Sequence, residues 1–156
     1  MKTILIAVIA VLAGSTQSAF AQPLRWQNYH IPSTGTSVDI PSSIFSEDVG
    51  PPPQGEGQRF RSADGRAELT VQAAAIGSHV DPAEFLARQH PPQHIQYKRM
   101  TPRFFAVSGY KGDKVWYDRC NFSKGVVHCV LINYPAREER AWDGIVTRIS
   151  LSLSGR

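Results

Sequence analysis

The sequence predicts an α+β fold: an antiparallel β-sheet flanked by a short helix and a C-terminal helix. Three observations indicate this class. Several short segments alternate apolar and polar residues between turn signals, a helix-start signal lies mid-chain, and apolar residues near the end follow helical spacing. The chain has 156 residues, which is long enough for one domain and short for two.

The first 21 residues are predicted to be a signal peptide. Lys2 precedes the apolar run 4–13, and the small residues Ala19 and Ala21 occupy the positions that a signal peptidase recognises. That run is about half the length needed to cross a membrane. We expect cleavage after Ala21, which leaves residues 22–156 as a single α+β domain in the periplasm or outside the cell.

The N-terminal segment and the charge balance argue against a lipid anchor, a membrane span and a nucleic-acid partner. Ser15 follows Leu-Ala-Gly where a lipoprotein carries its acceptor cysteine, so we expect no lipid anchor, and no other segment is a candidate membrane span. Seventeen Lys and Arg against thirteen Asp and Glu give a net charge of +4, and losing Lys2 lowers it by one to +3. This excess is smaller than a nucleic-acid surface requires, so no nucleic-acid partner is expected.

Two strands and a loop are predicted at the start of the mature chain. Residues 26–31 and 36–40 have strand-like composition around a Ser-Thr-Gly turn, and Pro41 ends the second strand. Residues 46–57 contain three prolines, three glycines and almost no apolar side chains. We expect an exposed loop there.

The hairpin that follows has the strongest local signal. Asp64-Gly65 is typical of a two-residue turn between extended segments 58–63 and 66–71. That turn pairs Phe60 with Leu69 on one face and Arg61 with Glu68 on the other.

A short helix is predicted from Asp81 to about His90. Asp81 suits the N-cap, Pro82 suits the first helical position, and Glu84 has the spacing of a capping box. The prolines after His90 end the helix.

The rest of the chain predicts three strand segments and the closing helix. The segments are 96–107, with a possible break at Pro102, 114–122 and 126–134. In the closing helix the apolar positions have helical spacing; they are Trp142, Ile145, Val146, Ile149 and Leu153.

The two cysteines, Cys120 and Cys129, are predicted to form a disulfide because the expected compartment is oxidising. A two-residue turn at Lys124-Gly125 places them opposite each other in a non-hydrogen-bonded pair, where the chains are closest. A three-residue loop would instead set Cys120 against His128. The bridge closes a small loop, so its expected role is structural, worth about 2 to 3 kcal/mol.

Three segments carry a family resemblance: the strand 37–41 after Tyr29, the hairpin 60–71, and the helix 142–153. In their order they resemble the superfamily of the photosystem protein PsbP, Mog1 and the bacterial envelope protein DcrB. The hairpin is also similar to an F-x-S-x-D-G-R-A-x-L pattern in small exported bacterial proteins of unassigned function. The resemblance implies an antiparallel sheet flanked by helices, and binding or assembly rather than catalysis.

The sequence contains no recognisable catalytic or metal-binding motif. His90 and His94 have helical spacing, but Pro91 and Pro92 exclude a helix between them, so we expect a solvated loop. His128, in the middle of a strand, is expected on the sheet surface. Acidic residues that could meet as a catalytic pair are Asp39, Asp118, Glu138 and Glu139. No catalytic residue is nominated, and no cofactor or metal is expected.

Arginines on the first long hairpin are the candidate ligand-binding residues. Arg59, Arg61 and Arg66 are predicted to bind an anionic envelope component if they lie together on one surface. A basic cluster later in the chain could join them; its members are Lys98, Arg99 and Arg103. The alternative is a soluble sheet face that Glu68 partly neutralises.

The function predicted from these features is an exported, non-catalytic binding or envelope-assembly module. Its partner is an unidentified envelope protein or anionic envelope component. The competing function is a small periplasmic hydrolase whose site is assembled from residues distant in sequence. A deep apolar pocket with convergent titratable groups would favour the enzyme, and a shallow basic or apolar surface would favour the binding module.

Overall fold

The computed structural model describes residues 23–77 and 79–155, so the predicted signal peptide and its cleavage residues Ala19 and Ala21 lie outside the described residues. In these two ranges the chain forms nine strands and two α-helices. The strands are β1 (Trp26–Ile31), β2 (Thr36–Pro41), β3 (Glu47–Gly50), β4 (Glu56–Arg61), β5 (Glu68–Ala75), β6 (Ile95–Thr101), β7 (Phe104–Lys111), β8 (Lys114–Ser123) and β9 (Val126–Pro135). The helices are α1 (Pro82–Arg88) and α2 (Glu139–Ser152), and one 3-10 turn spans Ala136–Glu138.

Seven strands form one antiparallel sheet in the order β3-β4-β5-β9-β8-β7-β6, while β1 and β2 form a separate two-stranded ribbon. The C-terminal segment joins this ribbon because Ser37 and Ser154 exchange backbone hydrogen bonds of 2.9 Å. A mainly antiparallel sheet with one short helix and one C-terminal helix is the predicted α+β class, which is therefore confirmed.

The larger core lies on the face of the sheet that packs against α2 and the ribbon, which we call the α2 face. Alternation in β2 and β5 turns every second side chain into this core. Its fully buried members are Val38, Leu69, Val71, Ala73, Val130, Ile132 and Ile149.

The smaller core lies on the opposite face, which we call the α1 face. Phe85 and Leu86 of α1 pack over the end of the sheet that contains β7 and β8. The buried members of this core are Leu86, Phe105, Val107, Trp116, Cys120, Val127 and Cys129.

Both predicted hairpin registers are confirmed. Phe60 pairs with Leu69 in the first hairpin, and Cys120 pairs with Cys129 in the second, where the two form a disulfide across a Cα–Cα distance of 4.1 Å. Lys124 and Gly125 have φ values of 50° and 76°, as a two-residue type I′ turn requires. The three-residue alternative is therefore wrong.

Two local predictions are wrong. Residues 46–57 are not entirely a loop, because β3 forms there and pairs with β4 around a bulge. Backbone hydrogen bonds to β4 hold this edge strand in place. The strand therefore forms although its sequence does not alternate apolar and polar residues. Glu84 forms an ion pair with Arg88 one turn along α1, whereas Asp81 caps the helix by accepting a hydrogen bond from the Ala83 amide at 2.9 Å.

Candidate functional site

The α2 face is covered at one end only. At the β6–β8 end a groove of about 220 Å³ runs between the strands and the side of α2. We call it the basic-aromatic groove; its strand residues are Tyr97, Arg99, Phe104, Ala106, Tyr117 and Arg119. Its helix residues are Val146, Thr147, Ser150 and Leu151. Large side chains project from both walls into solvent, since Tyr97 is 49% exposed and Leu151 is 71% exposed.

Two arginines share one aromatic ring in this groove. The guanidinium carbon of Arg119 lies 4.7 Å from the centre of the Phe104 ring, and that of Arg99 lies 5.4 Å from it. Neighbouring strands bring them together, because Arg99 pairs with Ala106 and Ala106 pairs with Arg119. The small Ala106 side chain leaves room between the two long ones.

Arg119 is held in place at the floor of the groove. Its Nε donates to Asn121 Oδ1 at 3.2 Å, and its Nη1 donates to Ser150 Oγ at 3.4 Å. Ser150 also exchanges a 2.6 Å hydrogen bond with the Tyr117 hydroxyl. Burial raises the pKa of Tyr117, so the phenol keeps its proton near neutral pH. These hydrogen bonds fix the positions of the Arg119 guanidinium and of the Ser150 and Tyr117 hydroxyls at the floor.

The charge of this groove is not neutralised by the protein. Within the described ranges, neither Arg99 nor Arg119 forms an ion pair with a carboxylate. Arginine is suited to bind carboxylate or phosphate groups because its planar donors form paired hydrogen bonds. The groove can therefore hold an anionic group against an aromatic surface.

The arginines proposed from the sequence have other partners. Arg61 forms an ion pair with Glu68 at 3.4 Å. Arg59 donates to the carbonyl oxygens of Pro51 and Val49 at 3.1 and 3.3 Å. Arg66 lies in the turn beyond β4 and forms ion pairs with Asp64 and Glu138.

The arginines of the first hairpin do not meet the later basic cluster. Arg59 and Arg61 lie on β4, near one edge of the sheet, while Lys98 and Arg99 lie on β6 at the other edge. Three central strands separate β4 from β7 and β6, so the two groups cannot form one patch.

A second groove, of about 380 Å³, lies beside Arg66 and the start of α2. Its apolar floor includes Trp142 and Ile145. Hydrogen bonds from Ser62 and Arg66 hold the pKa of Asp64 well below its usual range, and Arg66 lowers the pKa of Glu138 in the same way. Both carboxylates stay ionised near neutral pH, so neither is suited to act as a general acid there.

Asp118 is the buried carboxyl group of the α1 face. It is 2% exposed, and burial raises its pKa to about 8. Its Oδ1 lies 3.6 Å from Cys120 Sγ, and Cys129 is within the same cluster. Because the two sulfurs are bonded to each other, they do not offer thiolate ligands to a metal. Asp118 is enclosed by the core rather than open to a substrate.

The expectation that His128 lies on the sheet surface is wrong, since its side chain is fully buried. The ribbon and the C-terminal segment cover this part of the α2 face. The Nδ1 atom of His128 is 2.7 Å from Thr36 Oγ1, and its Nε2 has no hydrogen-bond partner among the described residues. Gly155 passes so close that a Cβ atom there would be 2.1 Å from Nε2. Burial lowers the pKa of His128, so its neutral form is favoured.

Sequence reasoning identified Arg99 but missed Arg119 and Phe104. The proximity of these residues could have been inferred from the register of β6, β7 and β8, but not from composition. Two-residue turns at 102–103 and 112–113 would have placed Arg99, Ala106 and Arg119 in one row across three strands. Charge counting along single segments could not reveal that row.

Comparison with known proteins supports the fold. No protein-family model matches the sequence, and no curated protein matches it. The chain is similar to the solution structure of cyanobacterial PsbP (CyanoP) from Synechocystis sp. PCC 6803, with a TM-score of 0.61 and 11% identity. The match covers 88% of this chain and 96% of the other, which confirms the predicted PsbP-like fold. Among the described residues, neither helix has the length and apolar content of a membrane span.

Proposed function

We propose that the protein is an exported, non-catalytic binding module that recognises an acidic segment of an envelope protein. One observation carries the proposal: Arg99 and Arg119 lie together on Phe104, on an uncovered sheet face, and no carboxylate among residues 23–77 and 79–155 forms an ion pair with them. Arg61 and Arg66 already form ion pairs with carboxylates, and Arg59 donates to backbone carbonyl oxygens without a second unpaired arginine on its strand. The ligand therefore belongs at the basic-aromatic groove.

The shape of the groove favours a protein segment over a membrane surface. Arg119 is half-buried between Phe104 and Ser150 at the floor, whereas the walls project outward at Tyr97 and Leu151. A planar array of lipid headgroups would meet the walls before it met Arg119. A single carboxylate side chain can enter the groove and accept paired hydrogen bonds there.

The proposed location is the periplasm or the exterior of the cell, after removal of residues 1–21 as a signal peptide. The disulfide between Cys120 and Cys129 supports an oxidising compartment, as does the small-residue pattern of Ala19 and Ala21. In this proposal residues 22–156 are the mature chain. Mass spectrometry of the exported protein should find Gln22 at the N-terminus and no free thiol.

The binding proposal is tested with a labelled peptide of alternating Glu and Val residues. Arg119→Ala should weaken its binding at low ionic strength by about tenfold or more, measured by fluorescence anisotropy, because a desolvated charge-assisted contact is lost. Arg140→Ala is the matched control, since it removes an equal charge from an exposed position on α2. Its binding should change by less than about twofold.

Two results would overturn this proposal. Equal weakening in Arg119→Ala and Arg140→Ala would mean that the peptide responds to net charge rather than to the groove. Binding to phosphatidylglycerol vesicles without binding to the peptide would assign the basic surface to a membrane instead.

A further inference from the structure

We infer that the outer edge of β6 is a strand-addition site, on which an extended acidic segment of the partner adds as an eighth strand of the sheet. The inference rests on the proposed function for the acidic character of the partner. In addition to the acidic side chains, the protein would recognise the backbone of the partner segment, and the contact would lie on β6.

The edge of β6 offers unpaired backbone groups at defined positions. β6 is the last strand of the sheet, and Thr101 and Phe104 flank the two-residue turn that joins it to β7. Residues of an antiparallel strand direct their N–H and C=O groups alternately toward and away from the neighbouring strand. Thr101 and Arg99 therefore bond to β7, whereas Met100 and Lys98 direct theirs outward.

The other strand edges of the described chain are less suited to this role. β3, at the opposite edge of the sheet, has four residues and a bulge, and three prolines follow it. These features block strand addition. The outer strand of the ribbon, β1, contains no Lys or Arg. β6 is longer, with seven residues and no proline, and its central residues are exposed. Its own register shift lies at one end, between Ile95 and Tyr97, so residues 97–101 pair regularly with β7.

The positive charge of Lys98 and Arg99 on β6 favours an acidic partner strand. Lys98 and Arg99 are consecutive, so their side chains lie on opposite faces of the strand. A partner residue opposite Arg99 would be in a non-hydrogen-bonded pair, where cross-strand side chains are closest. An acidic residue there gains an opposite-charge contact. A second β6 would instead bring like charges together, which disfavours pairing of two copies through this edge.

Arg99 belongs both to the edge strand β6 and to the basic-aromatic groove. Its backbone lies on the edge strand, while its guanidinium lies over the Phe104 ring of the basic-aromatic groove. An added strand therefore runs beside the groove, and its side chains on the α2 face meet Arg99 first. The favoured partner sequence is extended and carries acidic residues at alternate positions.

The experiment measures amide hydrogen exchange in the full mature chain by NMR, with the alternating Glu-Val peptide as the probe. The outward amides of Lys98 and Met100 should become protected by about tenfold or more when the peptide binds. A peptide N-methylated at alternate residues should bind at least about tenfold more weakly, because it cannot complete the strand pairing.

A pair of variants isolates the backbone group. Lys98→Ala removes the side-chain charge and keeps the N–H, whereas Lys98→Pro removes both. Proline is tolerated on an edge where its missing N–H faced solvent, and a thermal melt checks that the variant folds. Lys98→Pro should bind the peptide about tenfold more weakly than Lys98→Ala.

The outcomes separate this inference from the proposed function. Binding that depends on Arg119 but leaves the Lys98 and Met100 amides unprotected would overturn strand addition and retain the groove as the binding site. Absence of peptide binding would overturn both. Protection of the same amides in the protein alone, rising with protein concentration, would identify a second copy as the occupant and overturn the acidic-partner assignment.

Discussion

The two ends of the seven-stranded sheet are covered on opposite faces. At the β4–β5 end, α2 and the ribbon cover one face, and Leu69 and Val71 are fully buried there. At the β6–β7 end, α1 covers the other face, and Phe105 and Val107 are fully buried. Each end therefore presents one uncovered face, and the two uncovered faces lie on opposite sides of the sheet.

Both uncovered faces carry arginines, but the arginines differ in their partners. On the β4–β5 end Arg61 contacts Glu68, and Arg59 donates to backbone carbonyls. On the β6–β8 end Arg99 and Arg119 lie over the Phe104 ring, and neither forms an ion pair within the part of the chain that the structure describes. The number of arginines on a surface therefore does not locate a binding site. Arg99 and Arg119 differ from the others because two arginines without a carboxylate partner among the described residues lie side by side on one ring.

The largest expected loss of stability comes from weakening the packing of α2 on the sheet. Ile149 is fully buried on α2, so Ile149→Ala should lower the free energy of unfolding by about 3 to 4 kcal/mol. Leu151 lies two residues away and is 71% exposed beside the groove, so Leu151→Ala should change it by less than about 0.5 kcal/mol. Urea denaturation measures both. Similar losses in the two variants would mean that the groove is closed by packing rather than open.

The next largest effect on stability is expected from Asp118, which is buried on the α1 face of the sheet. Burial raises the pKa of this carboxyl from 3.8 to about 8, so the folded protein retains a proton that the unfolded chain has released. This contribution to stability is fully present below pH 3.8 and is lost as the pH rises toward 8. The loss of this contribution between pH 5 and pH 8 should lower the free energy of unfolding by about 3 kcal/mol.

Asp118→Asn should remove this slope, because an amide matches the shape of the neutral acid and does not ionise. Unfolding by urea at pH 5 and at pH 8 measures the change. Asp143→Asn, which removes an exposed carboxylate from α2, is the matched control and should leave the slope unchanged. An unaltered pH dependence in Asp118→Asn would show that this carboxyl is ionised in the folded protein.

The disulfide between β8 and β9 should contribute slightly less to stability. It closes a loop with a sequence separation of nine, so replacing Cys120 and Cys129 by Ala should lower the free energy of unfolding by about 2 to 3 kcal/mol. Dithiothreitol should destabilise the wild-type protein to a similar extent and leave the double variant unaffected. A loss below about 1 kcal/mol would mean that the register of β8 and β9 is held without the bond.

The fold could be predicted largely because its elements are specified locally. Lys124-Gly125 forms the predicted two-residue turn and fixes the register of β8 and β9. Around Asp64-Gly65 the strands end earlier, at Arg61 and Glu68, with a turn hydrogen bond from the Gly65 amide to the Ser62 carbonyl, but the predicted register is kept. The edge strand β3 could not be predicted, because its pairing with β4 depends on backbone groups and not on a side-chain pattern.

The candidate site was less predictable because it depends on which face each element covers. His128 has the sequence setting of a surface residue, but the ribbon and the C-terminal segment lie over it. Arg119 becomes a neighbour of Arg99 only after three strands are aligned. The sequence of each strand contains no information about which of its two faces a distant helix will cover.

The smallest expected effect tests the comparison of the arginines directly. Arg61 and Glu68 are partly exposed, so a double-mutant cycle with alanine should give a favourable coupling of about 0.5 kcal/mol. The same cycle on Arg99 and Arg119 should give a coupling of opposite sign, because two like charges share the Phe104 ring. Both couplings should fall when salt is raised to about 1 M, where the screening length is about 3 Å. A favourable coupling between Arg99 and Arg119 would mean that a bound anion or a carboxylate already links them. In that case the two uncovered faces would be equivalent, and the groove would have no advantage as the binding site.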